Sequence, residues 1–249
     1  MNLSAIIVAK NEENNIADCI SSVSFSSEII VVDDFSTDKT KEIAEKMGAK
    51  VYQRALDGDW GAQETFAINQ ANSEWILLID ADERVTEDLA KEIQVVVAKN
   101  EYFAYSIPFL NYSMGDRIKH GVLSSKHFLR LLPRKDVYVK GLVHQTVCHS
   151  YKVKKLKNYM NHYTYNDWEQ YLRKFNMYTK LAAQKSYDEG KSARFFSDIV
   201  IRPCGAFFKM FILKSGWRDG KPGFILCVFH YFYTMMKYVR LYYLQKEKQ

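Results

Sequence analysis

The residues Asp80-Ala81-Asp82-Glu83 follow the apolar run Trp75-Ile76-Leu77-Leu78-Ile79 and place three carboxylates at its end. On extended backbone Asp80 and Asp82 share one side and Ala81 takes the other. Two carboxylates so spaced suit a hard divalent cation, magnesium or manganese, whose remaining positions the oxygens of a diphosphate can fill. The competing reading is structural: Asp82 or Thr86 caps the helix that Glu87 to Ala98 suggests. A second acidic pair, Asp33-Asp34, ends the β-branched run Glu28-Ile29-Ile30-Val31-Val32 and leads into Phe35-Ser36-Thr37-Asp38-Lys39-Thr40. Capping of a helix to Met47 and Gly48 accounts for one or two of those polar residues but not all. An aspartate at this position can accept a hydrogen bond from a uracil N–H or a ribose hydroxyl. His144 and His149 lie in Asp136 to Ser150, which reads as a strand or hairpin, and a histidine there is either packed or a proton acceptor.

The elements that must position these groups alternate. Ser4 to Ala9 reads as a first buried strand, and the polar turn Lys10-Asn11-Glu12-Glu13-Asn14 opens a helix through Val23. Glu28 to Val32, a short strand at Lys50 to Gln53, a helix ending near Asn72 and the strand from Trp75 complete a pattern of parallel strands flanked by helices. In such sheets ligands bind beyond the carboxyl ends of the strands, where both acidic pairs fall. Ala9-Lys10-Asn11-Glu12 stands where a dinucleotide-binding protein has a glycine-rich turn, and no P-loop occurs, so oxidoreductase and kinase readings lose their support. After residue 99 the texture changes to alternation, as in Tyr102 to Phe109 and Lys126 to Leu132, which predicts a mixed, partly antiparallel second half.

From Asn166 the chain turns helical, with Asp167 at a cap and Trp168, Tyr171, Leu172, Phe175, Tyr178 and Leu181 spaced as a core stripe. Two further apolar helices, Ala193 to Lys214 and Pro222 to Leu244, flank a glycine- and proline-rich corner at Gly216 to Gly223. They can pack on the sheet domain, pair with a second subunit in a homo-oligomer, or lie in an anionic membrane surface. In the last case, which the composition favours, Lys209, Lys214, Arg218, Lys221, Lys237 and Arg240 face headgroups.

With 47% hydrophobic and 26% charged residues among 249, the chain can bury a sizeable core, and disorder is confined to Lys246 to Gln249. The net charge of +6 is concentrated in the second half, for example Lys152, Lys154, Lys155 and Lys157, which points to an anionic partner ahead of nucleic acid. The four cysteines show no C-x-x-C spacing, so neither a zinc site nor a disulfide framework follows. Ile6 to Ala9 is too short for a secretion signal, and Phe224 to Met236 falls short of the roughly 20 residues that span a bilayer, which together predict a cytoplasmic protein.

Three motifs, Ile6 to Glu12, Val31 to Thr40 and Trp75 to Glu83, stand in the order and spacing of the inverting glycosyltransferases of family 2, and the chain resembles that family. Leu129-Arg130-Leu131, Val143-His144, Arg202-Pro203 and Gly216 to Gly223 extend the resemblance to the branch that glucosylates the lipopolysaccharide inner core. It implies a GT-A fold: an α/β, Rossmann-like, mostly parallel mixed sheet flanked by helices. Residues 1–160 then form the nucleotide-sugar-binding and catalytic domain, and 161–249 a helical C-terminal extension. It also implies an inverting hexosyltransferase that uses a UDP-sugar, with UDP-glucose foremost, and a phosphorylated glycolipid acceptor at the cytoplasmic face of the inner membrane. Ala9, Lys10, Asn11, Glu12, Asp33, Asp34, Gln63, Asp80, Ala81 and Asp82 would bind the donor. Asp33 or Asp34 would meet the uridine, Asp80 the ribose, and Asp82, with Asp80 beside it, the Mn2+ or Mg2+ that bridges the diphosphate. The catalytic residues would be among His144, Gln145 and Asp116. Two positions depart from the family: Glu64-Thr65 follows Gln63 where a basic residue and an asparagine are common, and Gln145 replaces a glutamate after the histidine. An amide takes no proton, so His144, Asp116 or Glu64 must serve as base. The alternatives are a capsule or exopolysaccharide transferase with another sugar, or a catalytically silent nucleotide-sugar-binding subunit.

Overall fold

The structure is a computed structural model and describes residues 2–141 and 146–246. The chain divides into two units: Met1–Phe109 with Lys126–His162, and Leu110–Ser125 with Tyr163–Gln249.

The first unit is built on parallel strands β1 (Leu3–Ala9), β2 (Glu28–Asp33), β3 (Lys50–Gln53) and β4 (Trp75–Asp80), in the order β3-β2-β1-β4. Helices α1 (Ile16–Ser22), α2 (Thr40–Lys46) and α3 (Trp60–Gln70) connect them. β1 and β4 are buried on both faces, which is why Ala5 to Ala9 and Trp75 to Ile79 are continuous apolar runs. Ile7, Val31, Leu77 and Ile79 join one core cluster while Ile6, Ile30, Val32, Ile76 and Leu78 join another, so successive residues feed opposite faces of the sheet. The register Ala9↔Asp33↔Gln53, with Val8↔Asp80, brings the polar strand ends level along one edge.

Beyond β4 the pairing turns antiparallel, as the alternating sequence predicts. The short β5 (Glu83–Val85) and α4 (Glu87–Lys99) come next, and then β6 (Ala104–Ser113) pairs with β8 (His127–Pro133), which pairs with β4. Thr86, not Asp82, caps α4, its side chain accepting from Leu89 N at 3.3 Å. β9 (Tyr138–Lys140) and β10 (Thr146–Cys148) form an antiparallel hairpin. His144 and Gln145, expected in its connection, lie outside the described residues. β11 (Val153–Lys155) pairs with the start of β6, and β12 (Met160–Tyr165) pairs antiparallel with β5 through Met160↔Val85, Asn161↔Arg84 and His162↔Glu83.

In the second unit the end of β6 makes a hairpin with β7 (Asp116–Ile118), and three helices follow: α5 (Trp168–Asp188), α6 (Arg202–Phe208) and α7 (Gly220–Lys246). Asp167 caps α5 by accepting from Gln170 N at 2.6 Å. The expected core stripe of α5 is only partly internal: Tyr171 and Phe175 pack with Leu226 and Phe229, whereas Leu172, Tyr178 and Leu181 remain exposed. Turns with i→i+5 bonding, Phe195–Ile201 and Lys209–Leu213, flank α6. The corner to α7 is closed by glycines at close approach. A Cβ on Gly223 would meet Gly216 O at 2.2 Å, and one on Gly216 would meet Cys227 Sγ at 2.8 Å. Gly223→Ala is therefore expected to destabilise this unit by about 2–4 kcal/mol, overpacking backbone that cannot yield. Urea denaturation monitored by tryptophan fluorescence checks this, and an unchanged midpoint would contradict it.

Candidate active site

At the end of β4 the chain does not continue extended through Asp82. Residues 81 and 82 form a turn into β5, closed by Asp80 N donating to Glu83 Oε2 at 3.0 Å, and Ala81 is buried. The two aspartates are thereby given different surroundings. Asp80 Oδ2 accepts from Arg130 Nη2 at 2.7 Å, and the same nitrogen is ion-paired to Glu83. The Arg130 guanidinium lies over the Phe109 ring, 5.3 Å from its centre. Burial works against the charge on Arg130, but Asp80 and Glu83 outweigh it and hold the guanidinium above its ordinary range. Burial in turn pushes the Glu83 carboxyl well up against the pull of Arg130.

Asp82 instead faces His162 on β12, with Oδ1 3.6 Å from Nε2; its side chain is 14% exposed and that of His162 23%. The pairing of β12 with β5 creates this neighbourhood, and the edge of the Phe109–His162 ring contact, centroids 5.5 Å apart, steadies the imidazole. His162 was not singled out in the sequence. A histidine inside an alternating strand far along the chain carries no local mark of its partner, and only the β5–β12 register reveals it. Among the described residues no group of three or more histidine, cysteine or acidic side chains could hold a metal unaided. A carboxylate and an imidazole are nonetheless suitable donors for magnesium or manganese when a diphosphate completes the sphere. Asp80, half-exposed but neutralised by Arg130, is the poorer of the two expected ligands.

Asp33 and Asp34 end β2 with equally distinct roles. Asp34 accepts from Lys10 Nζ at 2.7 Å and Leu56 N at 2.9 Å, while its own N–H donates to Ala9 O. Asp33 Oδ2 accepts from Ser36 N and Gln53 Nε2, each at 3.1 Å, and its buried Oδ1 has no partner among the described residues. The turn after β1 is fixed to the turn after β2: Asn11 N donates to Ser36 Oγ at 2.8 Å, Asn11 Oδ1 accepts from Thr37 N at 2.8 Å, and Glu12 N donates to Thr40 Oγ1 at 2.7 Å. The Ser-Thr-Asp residues that capping alone did not explain thus tie two strand ends together. Gln63, fully buried, exchanges two hydrogen bonds with Arg54, accepting from Nη1 at 2.6 Å and donating to its carbonyl at 2.8 Å. Asp116 lies in the other unit, exposed at the start of β7 and paired across the hairpin with Ser113.

Glu64, on α3, is buried, and burial with the nearby Asp80 charge raises its carboxyl from 4.5 to about 7 against Arg130. The folded state holds this proton more tightly than the unfolded one, so the associated stability is complete below about pH 4.5 and is lost as pH rises through 7. Glu64→Gln is expected to be more stable than the parent at pH 8 by about 2–3 kcal/mol and to converge with it near pH 5. Urea titrations at the two pH values test this; equal differences at both would contradict it.

Comparison with known proteins places these features in context. The family model described as Glycosyl transferase family 2 matches residues 4–160. An uncharacterized glycosyltransferase of Rickettsia conorii is 30% identical over 253 aligned residues, covering 96% of this chain and 89% of that protein. The lipopolysaccharide core biosynthesis glycosyltransferase LpsC of Rhizobium meliloti is 26% identical, covering 96% and 92%. Among solved structures, residues 1–349 of Staphylococcus aureus TarS superpose with a TM-score of 0.51 at 18% identity, covering 100% of this chain and 92% of that one. The mixed sheet with flanking helices is the GT-A fold that the sequence led us to expect.

Proposed function

The chain belongs to glycosyl transferase family 2, and on that premise we propose that it moves a hexose, with glucose foremost, from a UDP-sugar to a phosphorylated lipopolysaccharide-core acceptor with inversion at the anomeric carbon. The observation that carries the reading is the pairing of Asp82 with His162 at the mouth of a sheet whose other strand ends present Asp33 and Asp34. LpsC, alike over nearly the whole chain, supports an acceptor of the lipopolysaccharide-core class. TarS, which shares the fold, has been crystallised with UDP-GlcNAc, and this supports a UDP-sugar donor.

Asp33 Oδ1, buried and unpartnered, is the acceptor available to a uracil N–H, and the Lys10–Asp34 and Gln63–Arg54 contacts hold the surrounding turns in place. Asp82 and His162 would hold a magnesium or manganese ion on the diphosphate, and when bound it supplies Lewis-acid stabilisation of the charge on departing UDP. Arg130 keeps Asp80 oriented through its hydrogen bond to Oδ2. The acceptor hydroxyl would attack the anomeric carbon from the face opposite UDP, and since the Gln145 amide cannot take its proton, the base would be one of His144, Asp116 or Glu64.

Thermal-shift titration with UDP, with and without manganese, tests the donor site directly. The parent chain is expected to gain several degrees with UDP plus manganese, and Asp33→Asn to lose at least tenfold in UDP affinity. An absence of any UDP response would remove the proposal. A normal response without turnover on any sugar donor would favour the silent binding subunit.

A further inference from the structure

Within the second unit, the helical stretch over residues 195–213 and the start of α7 carry an unusual surface. Phe196 is 75% exposed and Leu213 70%, and Ile201, Phe208, Trp217 and Phe224 are exposed with them. The helix geometry aligns several of these. In an i→i+5 turn residues five apart lie nearly over one another, which pairs Phe196 with Ile201 in the first such segment and Phe208 with Leu213 across the second. Ile201 and Phe208, seven apart along α6, are two α-helical turns apart and so also share a face. Ordinary α-helix throughout would rotate the end residues away; the two i→i+5 segments keep one apolar stripe. Phe207 and Phe211 stack with centroids 5.3 Å apart and meet Phe224 edge-on, an aromatic cluster beside the stripe that joins it to α7.

The charges around this stripe are of one sign. Between residues 194 and 225 the acids are Asp198 and Asp219, and both side chains are only 5% exposed. Asp198 is paired with Arg202 Nε at 2.6 Å, and Asp219 accepts from the Lys119 and His120 backbone N–H groups and contacts His120 Nδ1 at 2.8 Å. Lys209, Lys214, Arg218 and Lys221 are exposed, so the solvent-facing charge is positive. A large apolar patch whose own segment exposes cations and buries its two acids marks an interaction surface. A second copy of the chain is a poor occupant, because a two-fold contact sets the same patch against itself and opposes cation to cation. The sequence also places Lys237 and Arg240 at headgroups, but Arg240 Nη2 donates to Asn176 Oδ1 at 2.5 Å and Lys237 lies over the Tyr238 ring, so α7 commits those two to its own unit. No helix among the described residues is long and apolar enough to cross a membrane.

We propose that the surface formed by residues 195–225 lies in the headgroup region of an anionic lipid bilayer, with the Phe196–Leu213 stripe in the acyl boundary and Lys209, Lys214, Arg218 and Lys221 on lipid phosphates. The inference stands on exposure and charge alone and is independent of the transferred sugar. Flotation of the full chain with phosphatidylcholine vesicles, with and without phosphatidylglycerol, tests it. Binding is expected to require phosphatidylglycerol and to weaken with salt. It should fall about fivefold for each cation removed in Lys209→Gln, Lys214→Gln and Lys221→Gln, since one basic residue near such a surface contributes ~1 kcal/mol. Phe208→Ser with Leu213→Ser should abolish it, while Lys152→Gln with Lys155→Gln, elsewhere on the chain, should not alter it. All positions are exposed, and circular dichroism verifies folding. Equal binding by the stripe variant and the parent would overturn the proposal. So would a concentration-dependent dimer, seen by sedimentation, that the stripe substitutions dissolve in the absence of lipid.

Discussion

Asp82→Ala is expected to lower sugar transfer by about 10³-fold while leaving the circular dichroism spectrum and the urea midpoint nearly unchanged. The size follows from the charge that must be stabilised on departing UDP, to which a correctly placed metal contributes several kcal/mol, with each ~1.4 kcal/mol worth tenfold. Asp82 sits in the two-residue turn between β4 and β5, and its carboxylate faces His162 rather than the apolar core, so its loss leaves no cavity among packed side chains. His162→Ala should lose about 10–100-fold and respond to raised manganese, because the carboxylate remains. Asp80→Asn should behave differently, with a smaller loss that manganese does not rescue, since Asp80 is engaged by Arg130. Initial rates over a manganese series separate the three variants. Full activity in Asp82→Ala would refute the assignment of that residue.

Removing the Arg130 side chain should destabilise the first unit strongly, by about 3–5 kcal/mol for Arg130→Ala. Its guanidinium pairs with Glu83, which is fully buried, and with Asp80, and without it two carboxylates and the raised Glu64 share one neighbourhood without the cation that bonds to both carboxylates. Burial already pushes the Glu83 carboxyl up with Arg130 present, and without the guanidinium it is pushed further, so the folded variant holds that proton more tightly than the parent does. The deficit should therefore be smallest at acid pH and grow as pH rises. Arg130→Met with Glu83→Gln, which removes both charges and keeps most of the volume, should recover much of the loss. Denaturation at several pH values measures both effects. A pH-independent deficit, or a double variant no better than the single, would show that packing on Phe109 rather than charge sets the cost.

Much of the sheet could be read from the chain because β1, β2 and β4 are buried on both faces, and burial writes itself as unbroken apolar sequence from Ala5, Ile29 and Trp75. The acids at their ends could be read for the same reason, since a polar residue after such a run marks where the strand leaves the core. Their division of labour could not. Asp80 and Asp82 look equivalent in sequence, yet the turn at residues 81 and 82 gives one to Arg130 and the other to His162 through contacts distant along the chain. The Arg54–Gln63 exchange and the Ser36, Thr37 and Thr40 contacts to the first turn are likewise tertiary, made where two loops meet. In the second unit, spacing alone placed all of Trp168 to Leu181 inside, but of that stripe only the part that Leu226 and Phe229 cover is buried, and the later part of the helix buries Ala183 with Leu241 instead.

The central claim is that this chain transfers sugar from a UDP donor, and acceptor-dependent release of UDP tests it most directly. Purified protein would be given UDP-glucose and other UDP-sugars in manganese or chelator, with and without extracted core lipopolysaccharide. The account predicts UDP release that requires acceptor, ceases in chelator and is lost in Asp82→Ala. UDP binding without release for any donor, with acceptor and manganese both present, would contradict it.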